Sequence, residues 1–353
     1  MSVRTTIALA LLVALAGCSG ADEPRDAPTA DIDAGLDDGL VVVEPTTALL
    51  DWQDTGVEVG TRFVQGPEWE AIGSDDGSSV ELVRDGDSIE IDAGPGRTIS
   101  EVLMSEDWAV VVRQDRTETA PSEVVAVDLA TGEQRDVVSP SAASGGSWAL
   151  TGGDLYYPTY GDAGAYCLAT SALADGNGED GWCAPGTNGF SGLTASGHGV
   201  GMMTFDDARP IACRTVNLLE AGVPKPLDHA DDCRAWDVAA TAGGVVWSEG
   251  PRPRRQEEAR FSAVDAGASF DLGPGTTGSL VPCGDSVFFA RDPQGPDEPA
   301  RLMRWTPERT LEIAYESASA GNAFLGEPVC GGGALTLTSF GESGDEHVSA
   351  RVE

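Results

Sequence analysis

The feature that most constrains the fold of this chain is a unit of about 45 residues that recurs seven times. Each unit has a short strand, a tight turn rich in Gly or Asp, and a second, more apolar strand. The second strands begin at Trp69, Trp108, Leu155, Val200, Val245, Val287 and Ala334. Their spacings are 39, 47, 45, 45, 42 and 47 residues. A period of this length with several short strands is typical of the blades of a β-propeller.

A further hairpin fills the outer half of each unit. The clearest is residues 124–138 (VVAVDLATGEQRDVV), and residues 301–315 and 261–272 repeat its design. We therefore predict an all-β chain of seven four-stranded blades. The seventh unit has only three strands before the chain ends. We expect an N-terminal strand within residues 40–52 (LVVVEPTTALLDW) to close this last blade, which removes two exposed sheet edges.

The first residues carry a targeting signal. One cation, Arg4, precedes an apolar stretch at residues 7–16 that is too short to span a bilayer, and Leu-Ala-Gly-Cys follows at residues 15–18. This pattern resembles the lipobox of bacterial lipoproteins. The resemblance implies a signal peptide at residues 1–17, a diacylglyceryl group on Cys18, and export to the outer face of the bacterial cytoplasmic membrane.

The segment that follows has the composition of a tether. Residues 18–39 are rich in acids, with Arg25 as the one cation. Such a segment cannot bury enough apolar surface to fold by itself, and its charges repel each other. We therefore divide the chain into a signal peptide (1–17), an acidic disordered tether (18–39) and a propeller domain (40–353).

One phrase in the second unit supports the architecture. Residues 126–133 (AVDLATGE) resemble the seven-bladed propellers of the TolB-like and YncE-like type. The phrase also resembles one quinoprotein repeat, in which a Trp follows the Thr-Gly-Glu turn. Here Gln134 and Arg135 follow that turn, so we expect no quinone and no other cofactor. The resemblance implies a fold and no particular activity, because propellers host many functions.

The charge of the chain excludes one class of partner. The formal net charge is −37, with 21 lysines and arginines together. So acidic a chain repels phosphate backbones, and we expect no nucleic acid partner. We expect a monomer whose partners are the membrane, through its lipid, and an envelope protein or anionic ligand.

The cysteines predict an oxidising compartment. Besides Cys18 there are six: Cys167, Cys183, Cys213, Cys233, Cys283 and Cys330. An even number in an exported chain indicates disulfides, and the C-x-x-C pairs of a zinc site are absent from the sequence. We expect local pairs, Cys167–Cys183 and Cys213–Cys233. Cys283–Cys330 follows by elimination, although the sequence permits many other pairings.

Metal and catalytic motifs are weak. The histidines are His198, His229 and His347, of which His229 lies in the acidic run 228–232 (DHADD). Residues 31–37 and 175–180 space carboxylates as in calcium loops, but each offers too few oxygens. We interpret all three acidic stretches as solvated loops and expect no metal. No nucleophile elbow, phosphate loop or HExxH helix occurs, and we expect no catalytic residue.

These observations favour a non-catalytic binding or scaffold protein of the cell envelope, anchored by lipid. The alternative is an exported enzyme that acts on glycan or peptide, with its site in the propeller channel. A deep channel with converging carboxylates or histidines would favour the enzyme, and a wide, flat face would favour a partner surface.

One set of loops offers a binding surface. The connections between the second and third strands of each blade should project from one face, and together they carry Arg113, Arg116, Arg209, Arg252, Arg254, Arg255, Arg260, Arg291 and Arg301. The loop at residues 250–260 (GPRPRRQEEAR) is locally cationic. Guanidinium groups can hold a carboxylate or phosphate with two hydrogen bonds, so we predict binding of an anionic ligand by Arg252, Arg254, Arg255 and Arg260. The alternative is a solvated loop whose arginines offset neighbouring acids.

Overall fold

The computed structural model describes residues 39–231, 233–251 and 258–352. They form seven small sheets arranged in a ring, the seven-bladed β-propeller that the repeat predicts. The signal peptide, Cys18, nearly all of the tether, Arg252, Arg254 and Arg255 lie outside the described residues. Among the described residues, no helix is long and apolar enough to cross a membrane.

The chain enters the ring through three short strands, which we call the belt (residues 40–54). The belt strands are β1 (Leu40–Val42), β2 (Thr46–Thr47) and β3 (Gln53–Asp54).

Blades one to four are each one continuous stretch of chain with four strands. Blade one has β4 (Phe63–Gln65), β5 (Glu70–Gly73), β6 (Ser79–Arg84) and β7 (Asp87–Asp92). Blade two has β8 (Arg97–Met104), β9 (Trp108–Asp115), β10 (Glu123–Asp128) and β11 (Gln134–Val137). Blade three has β12 (Ala149–Thr151), β13 (Asp154–Tyr160), a 3-10 turn (Asp162–Gly164), β14 (Tyr166–Ala172) and β15 (Asn177–Cys183). Blade four has β16 (Gly189–Ser196), β17 (Gly199–Phe205), β18 (Arg214–Glu220) and β19 (Val223–Pro226).

Blades five to seven each contain a strand from the belt. Blade five has β20 (Ala235–Thr241), β21 (Gly244–Glu249), β22 (Arg260–Asp265) and β23 (Ala268–Pro274). Blade six has β24 (Val281–Cys283), β25 (Ser286–Arg291), β26 (Pro299–Trp305) and β27 (Leu311–Ala320). Blade seven has β28 (Phe324–Leu325), β29 (Val329–Cys330), β30 (Ala334–Phe340) and β31 (Glu346–Arg351).

The N-terminal closure is confirmed, but it uses different residues from those predicted. β3 pairs antiparallel with β31 and completes blade seven just beyond residues 40–52. The earlier belt strands add a parallel fifth strand to two other blades, β1 on β23 and β2 on β27. Pro45 separates β1 from β2, since it has no N–H to donate and favours a break between strands. The belt therefore covers the outer edges of three blades.

Sheet position explains why the second strands are so apolar. In β9, five consecutive side chains from Trp108 to Val112 are buried, because neighbouring blades cover both faces of the strand. The core consists of apolar clusters between adjacent blades, from blades one and two round to blades six and seven. Several tryptophans lie in these interfaces, as packing residues rather than an exposed platform: Trp69, Trp108, Trp148, Trp247 and Trp305.

Three disulfides are present, with the pairing expected from the sequence. Cys167–Cys183 joins β14 to β15 within blade three, and Cys213–Cys233 closes a loop around blade four. Cys283–Cys330 joins the inner strands of blades six and seven, since Cys283 ends β24 and Cys330 ends β29. Such bonds form and persist in oxidising, exported environments.

Candidate functional site

The first strands of the blades surround a central channel with a cavity of about 740 Å³. A volume of this size suits a small molecule or a short segment of chain. The cavity reaches the turns that connect the first and second strands, which we call the turn face. The charged residues of its lining are Arg62, Glu101, Glu106, Asp107 and Glu327, and His347 also lines it. Four carboxylates therefore face one guanidinium.

Contacts between turns narrow the channel on the turn face. His198, in the turn of blade four, lies 3.2 Å from Oδ1 of Asp285, in the turn of blade six. The inner strands β16 and β24 also contact each other, although blade five separates them in the ring. As a result, among the described residues the cavity is lined by every blade except blade five.

The glycine turn of blade seven makes a similar contact. Gly332 has a φ of +63°, and a Cβ there would lie 2.7 Å from the backbone of Ser105 and Glu106 in the turn of blade two. A side chain at this position would therefore clash with that turn. The glycine lets the turns of blades seven and two approach across the turn of blade one.

β-Bulges occur at two carboxylates, Glu101 in the channel lining and Asp237 beside it. β8 has a register shift between Ile99 and Glu101, and β20 has one between Ala235 and Val238, which contains Asp237. An extra residue at a bulge changes which side chains face the core. In β8, Ile99 and Val102 are therefore both buried although they are three residues apart, while the side chain of Glu101 is 47% exposed.

Glu101 has one opposing charge. Nη1 of Arg62 lies 3.9 Å from Oε2 of Glu101, which is a weak ion pair. Burial raises the pKa of Glu101, and Arg62 only partly offsets this increase. A single distant guanidinium therefore leaves the Glu101 carboxylate incompletely compensated.

Glu327 lies where the inner strand of blade seven is interrupted. Pro328 follows it and cannot donate to the ladder, so β28 and β29 pair separately with β30. Burial raises the pKa of Glu327, and the nearby charges of Glu101 and then Asp237 raise it further. The charges of Glu101 and Asp237 therefore disfavour the ionised form of Glu327.

Asp237 lies beside this cavity rather than in its lining. Burial raises the pKa of Asp237 to about 6, although two groups stabilise its carboxylate. The hydroxyl of Ser248 donates to Oδ2 at 2.6 Å, and the N–H of Gly278 donates at 3.0 Å. Since Gly278 precedes the inner strand of blade six, Asp237 also connects blades five and six.

His347 lies at the seam between blades seven and one. Only 6% of its surface is exposed, its ring packs edge-on against Phe63 at 5.4 Å, and it contributes to the cavity lining. Burial lowers the pKa of His347, against a hydrogen bond to the Val57 carbonyl and the charge of Asp54. Its Nδ1 is buried without a hydrogen-bond partner. Burial therefore disfavours the charged form of His347.

The predicted arginine site is only partly within the described residues. Oδ2 of Asp271 accepts from Arg260 at 2.6 Å, so this guanidinium already has a carboxylate partner. Arg301 pairs with Glu316 at 2.9 Å. Arg291 donates to the carbonyls of Leu272 and Pro274, and burial lowers its pKa to about 10. Arg260 and Arg301 are thus held within their own blades, and Arg291 connects blade six to blade five.

The acidic loops stay on the surface. Arg234 bonds Asp231 near His229, and Asp175 and Glu179 lie on the exposed outer hairpin of blade three. Within the described part of the chain, no group of three or more His, Cys, Asp and Glu is arranged to hold a metal ion.

Sequence analysis missed Arg62, Glu101, Asp237 and Glu327. One signal was available, namely a single acid within an otherwise apolar inner strand, as in AWDVAAT of β20. Their convergence was not visible in the sequence, because it depends on the ring and on the bulges.

Comparison with known proteins supports the fold and no family. No family model matches the chain, and no curated protein matches it in sequence. The β-propeller domain of the trilobed protease from Pyrococcus furiosus has a TM-score of 0.59 and 10% identity, over 87% of this chain and 97% of that chain. Oligogalacturonate lyase from Vibrio parahaemolyticus has a TM-score of 0.51 and 10% identity, over 88% and 99%. The shared feature is the β-propeller.

TolB from Acinetobacter baumannii is also among the similar structures, with a TM-score of 0.42 and 10% identity, over 83% of this chain and 79% of that chain. At 10% identity, the protease propeller and the lyase, which have TM-scores above 0.5, support the fold of this chain and do not identify its ligand. The candidate site must therefore be judged by its own geometry.

Proposed function

We propose that this chain is a non-catalytic binding protein of the cell envelope that holds an organic cation in its propeller channel. The ligand we infer carries ammonium or guanidinium groups, as does a basic peptide segment. The observation that carries this proposal is that four carboxylates, those of Glu101, Glu106, Asp107 and Glu327, face one guanidinium in the lining of the channel cavity. The upward pKa shifts of Glu101 and Glu327 support it.

Because the pKa values of Glu101, Asp237 and Glu327 all shift in the same direction, these carboxyls favour a binding site over a catalytic site. A catalytic acid and base need environments that move their pKa values apart, so that one carboxyl is protonated while the other is ionised. Here burial raises the pKa of all three carboxyls, and the charges of Glu101 and Asp237 raise that of Glu327 further. A cation among them would relieve the repulsion and return their pKa values toward the ordinary range.

The test is calorimetry with a hexalysine peptide at low salt, and the same peptide with acetylated lysines as the uncharged probe. Glu101→Gln and Glu327→Gln should each weaken hexalysine binding about tenfold, since a hydrogen bond to a charged group contributes about 1.5–3 kcal/mol. Glu90→Gln, on the exposed outer strand of blade one, is the matched control. Equal loss in all three variants would mean that only net charge attracts the peptide.

Acidity should weaken this binding. The carboxylates bind a cation only when ionised, and their pKa values lie above the ordinary range, that of Asp237 at about 6. Affinity should therefore be complete near pH 7.5 and fall as the pH decreases through 6 toward 4. Binding that is unchanged at pH 5 would contradict a role for these carboxyls.

An exported enzyme that acts on glycan or peptide is the second candidate. The converging carboxylates favour it, because a carboxyl with a raised pKa can serve as a general acid near neutral pH. Structural neighbours include the propeller domain of a protease and an oligogalacturonate lyase. Turnover of envelope glycan or peptide that Glu327→Gln abolishes would replace the binding proposal with this one.

The lipid anchor is part of the proposal and is tested separately. We infer that Cys18 carries a diacylglyceryl group and tethers a monomeric propeller to the outer face of the bacterial cytoplasmic membrane. Cys18→Ser should move the protein from the membrane fraction to the soluble or secreted fraction. Equal retention in the membrane would exclude this anchor and leave the channel proposal intact.

The arginine loop of blade five remains a proposed second surface, for an anionic envelope ligand or an acidic partner. Replacing Arg252, Arg254 and Arg255 with Ser should preserve the fold and reduce partner capture in intact cells. The reduction should be greatest at low salt, where electrostatic attraction is strongest. Unchanged capture at every salt concentration would indicate a merely solvated loop.

A further inference from the structure

A second cavity, of about 520 Å³, opens at the outer half of blade two, and we propose that it binds a small carboxylate ligand with an apolar body. The carboxylate would be held by Arg113, and the apolar body would lie against the exposed side chain of Val138. None of the residues that line this cavity lines the channel cavity. The proposal is therefore independent of the cation site.

Arg113 is the residue that we expect to bind the carboxylate of the ligand. It lies near the end of β9, opposite Glu123 on β10 and Ile99 on β8. Its Nε is buried and has no hydrogen-bond partner. Unlike Arg97, Arg113 forms no ion pair with any described residue. An uncompensated, partly buried guanidinium is costly, and a ligand oxyanion would satisfy it.

The nearest carboxylate is already engaged by another arginine. Glu123 accepts from Nη2 of Arg97 at 2.6 Å. Nη1 of Arg97 donates to the carbonyl of Pro121 at 3.0 Å, which fixes that side chain across the cavity wall. Because Arg97 neutralises Glu123, the charge of Arg113 remains available to a ligand. Asp136, on β11, also lines the cavity, and its side chain is exposed to water.

The rest of the lining is mostly apolar. It includes Pro121, Val124, Val137, Val138 and Ala142. Val138 is 72% exposed, the most exposed large apolar side chain among the described residues. Ligand cavities combine such apolar walls with a few placed polar groups. The combination indicates a ligand that is part carboxylate and part hydrocarbon, rather than a fully hydrated anion.

The experiment is a titration followed by NMR, with octanoate as the probe. Acetate carries the charge without the apolar body, and octanol carries the apolar body without the charge. Octanoate should show saturable shifts confined to the residues of this cavity, with at least tenfold higher affinity than acetate or octanol. Octanol that binds as tightly as octanoate would overturn the role of Arg113.

The variants separate this site from general attraction to arginine. Arg113→Gln should weaken octanoate binding about tenfold or more, and Arg113→Lys should restore it only partly, since lysine lacks the two-pronged geometry. Arg116→Gln is the matched control, because Arg116 lies one residue beyond β9, outside the lining of this cavity, and its Nε donates to the carbonyl of Arg97 at 3.0 Å. Equal losses for Arg113→Gln and Arg116→Gln would contradict the proposal.

A final variant avoids the buried side of the site. Val138→Glu changes an exposed side chain, so the fold should be preserved, and it places a carboxylate where the apolar body would lie. Octanoate binding should be lost while the hexalysine binding of the channel is retained. Octanoate binding that survives this substitution would exclude the cavity as the site.

Discussion

Blades one to four and blades five to seven form the same ring in different ways. Each of the first four blades is a four-stranded sheet made from one continuous stretch of chain. Each of the last three is completed or extended by a belt strand, and the disulfide Cys283–Cys330 joins two of them. Blades five and six are also joined by a hydrogen bond from the N–H of Gly278 to the carboxylate of Asp237.

The difference shows where closing a ring requires additional interactions. Blades one to four follow each other along the chain, so each new blade packs on one already formed. Blade seven must instead join blade one, whose strands lie far away in sequence, and its fourth strand comes from the other end of the chain. The belt distributes this closure over three blades rather than over one short strand pair, and it covers exposed edges that could otherwise pair with other chains.

Removal of the belt should have the largest effect. Deleting residues 39–54 removes three edge strands and the packing of Leu50 and Trp52 against the cluster between blades six and seven. We expect a loss of about 4 kcal/mol or more in the free energy of unfolding, since one buried apolar side chain alone contributes about 1.5–3 kcal/mol. Urea denaturation and size-exclusion chromatography would measure the loss and the resulting aggregation. Deleting residues 19–35 is the control, and if both truncations behave alike the belt does not close the ring.

The disulfides should rank by the length of chain that they close. Cys283–Cys330 spans 47 residues and Cys167–Cys183 spans 16. Because a disulfide restricts the unfolded chain, replacing both cysteines by Ser should lower the free energy of unfolding by about 4 kcal/mol for Cys283–Cys330 and by about 3 kcal/mol for Cys167–Cys183. Denaturant titration of the two double variants would measure this. A larger loss for the pair in blade three would show that local packing, rather than ring closure, dominates.

The acids of the two regions should respond to pH in opposite directions. Because the pKa of Asp237 is raised to about 6, the protonated form favours folding, and its ionisation lowers stability as the pH rises from about 4 through 6. When the pH rises from 4 to 7, the free energy of unfolding of Asp237→Asn should therefore increase by about 2 kcal/mol relative to that of the wild type. Thermal unfolding across this range would measure the difference.

Asp115 in blade two provides the contrast. Hydrogen bonds from Thr117, Thr119 and Ala120 lower the pKa of its carboxyl, so its contribution is present above the ordinary pKa range and is lost as the pH falls below it. Asp115→Asn should therefore reduce stability at pH 7 and have less effect in strong acid. If the stability difference from the wild type changes with pH in the same direction for both variants, the opposite pKa shifts of Asp237 and Asp115 are contradicted.

The smallest effect should come from one belt side chain. Nε1 of Trp52 donates to the carbonyl of Ala314 at 2.7 Å, and its ring packs edge-on against Tyr315. Trp52→Phe should lose about 1 kcal/mol, mainly for the hydrogen bond. Leu49→Ala, at an exposed belt position, should change stability by less than about 0.5 kcal/mol. Equal losses of stability in Trp52→Phe and Leu49→Ala would mean that the Trp52 hydrogen bond does not stabilise the attachment of the belt.

The fold was largely predictable because its signals are local. An apolar second strand recurs in each unit, and the structure begins these strands within one residue of the predicted positions. The hairpin at residues 124–138 forms as β10 and β11. The closing strand was placed a residue too early, because the sequence of the belt does not indicate which of several sheet edges each of its strands will pair with.

The sequence by itself determined the number of blades and the order of their strands, since these follow from periodicity and turn chemistry along one stretch of chain. Only the tertiary structure decided which acids meet. Glu101, Asp237 and Glu327 come from blades two, five and seven, and two of them owe their direction to bulges in inner strands. Their burial and repulsion arise from the closed ring, in which residues more than two hundred positions apart face one channel.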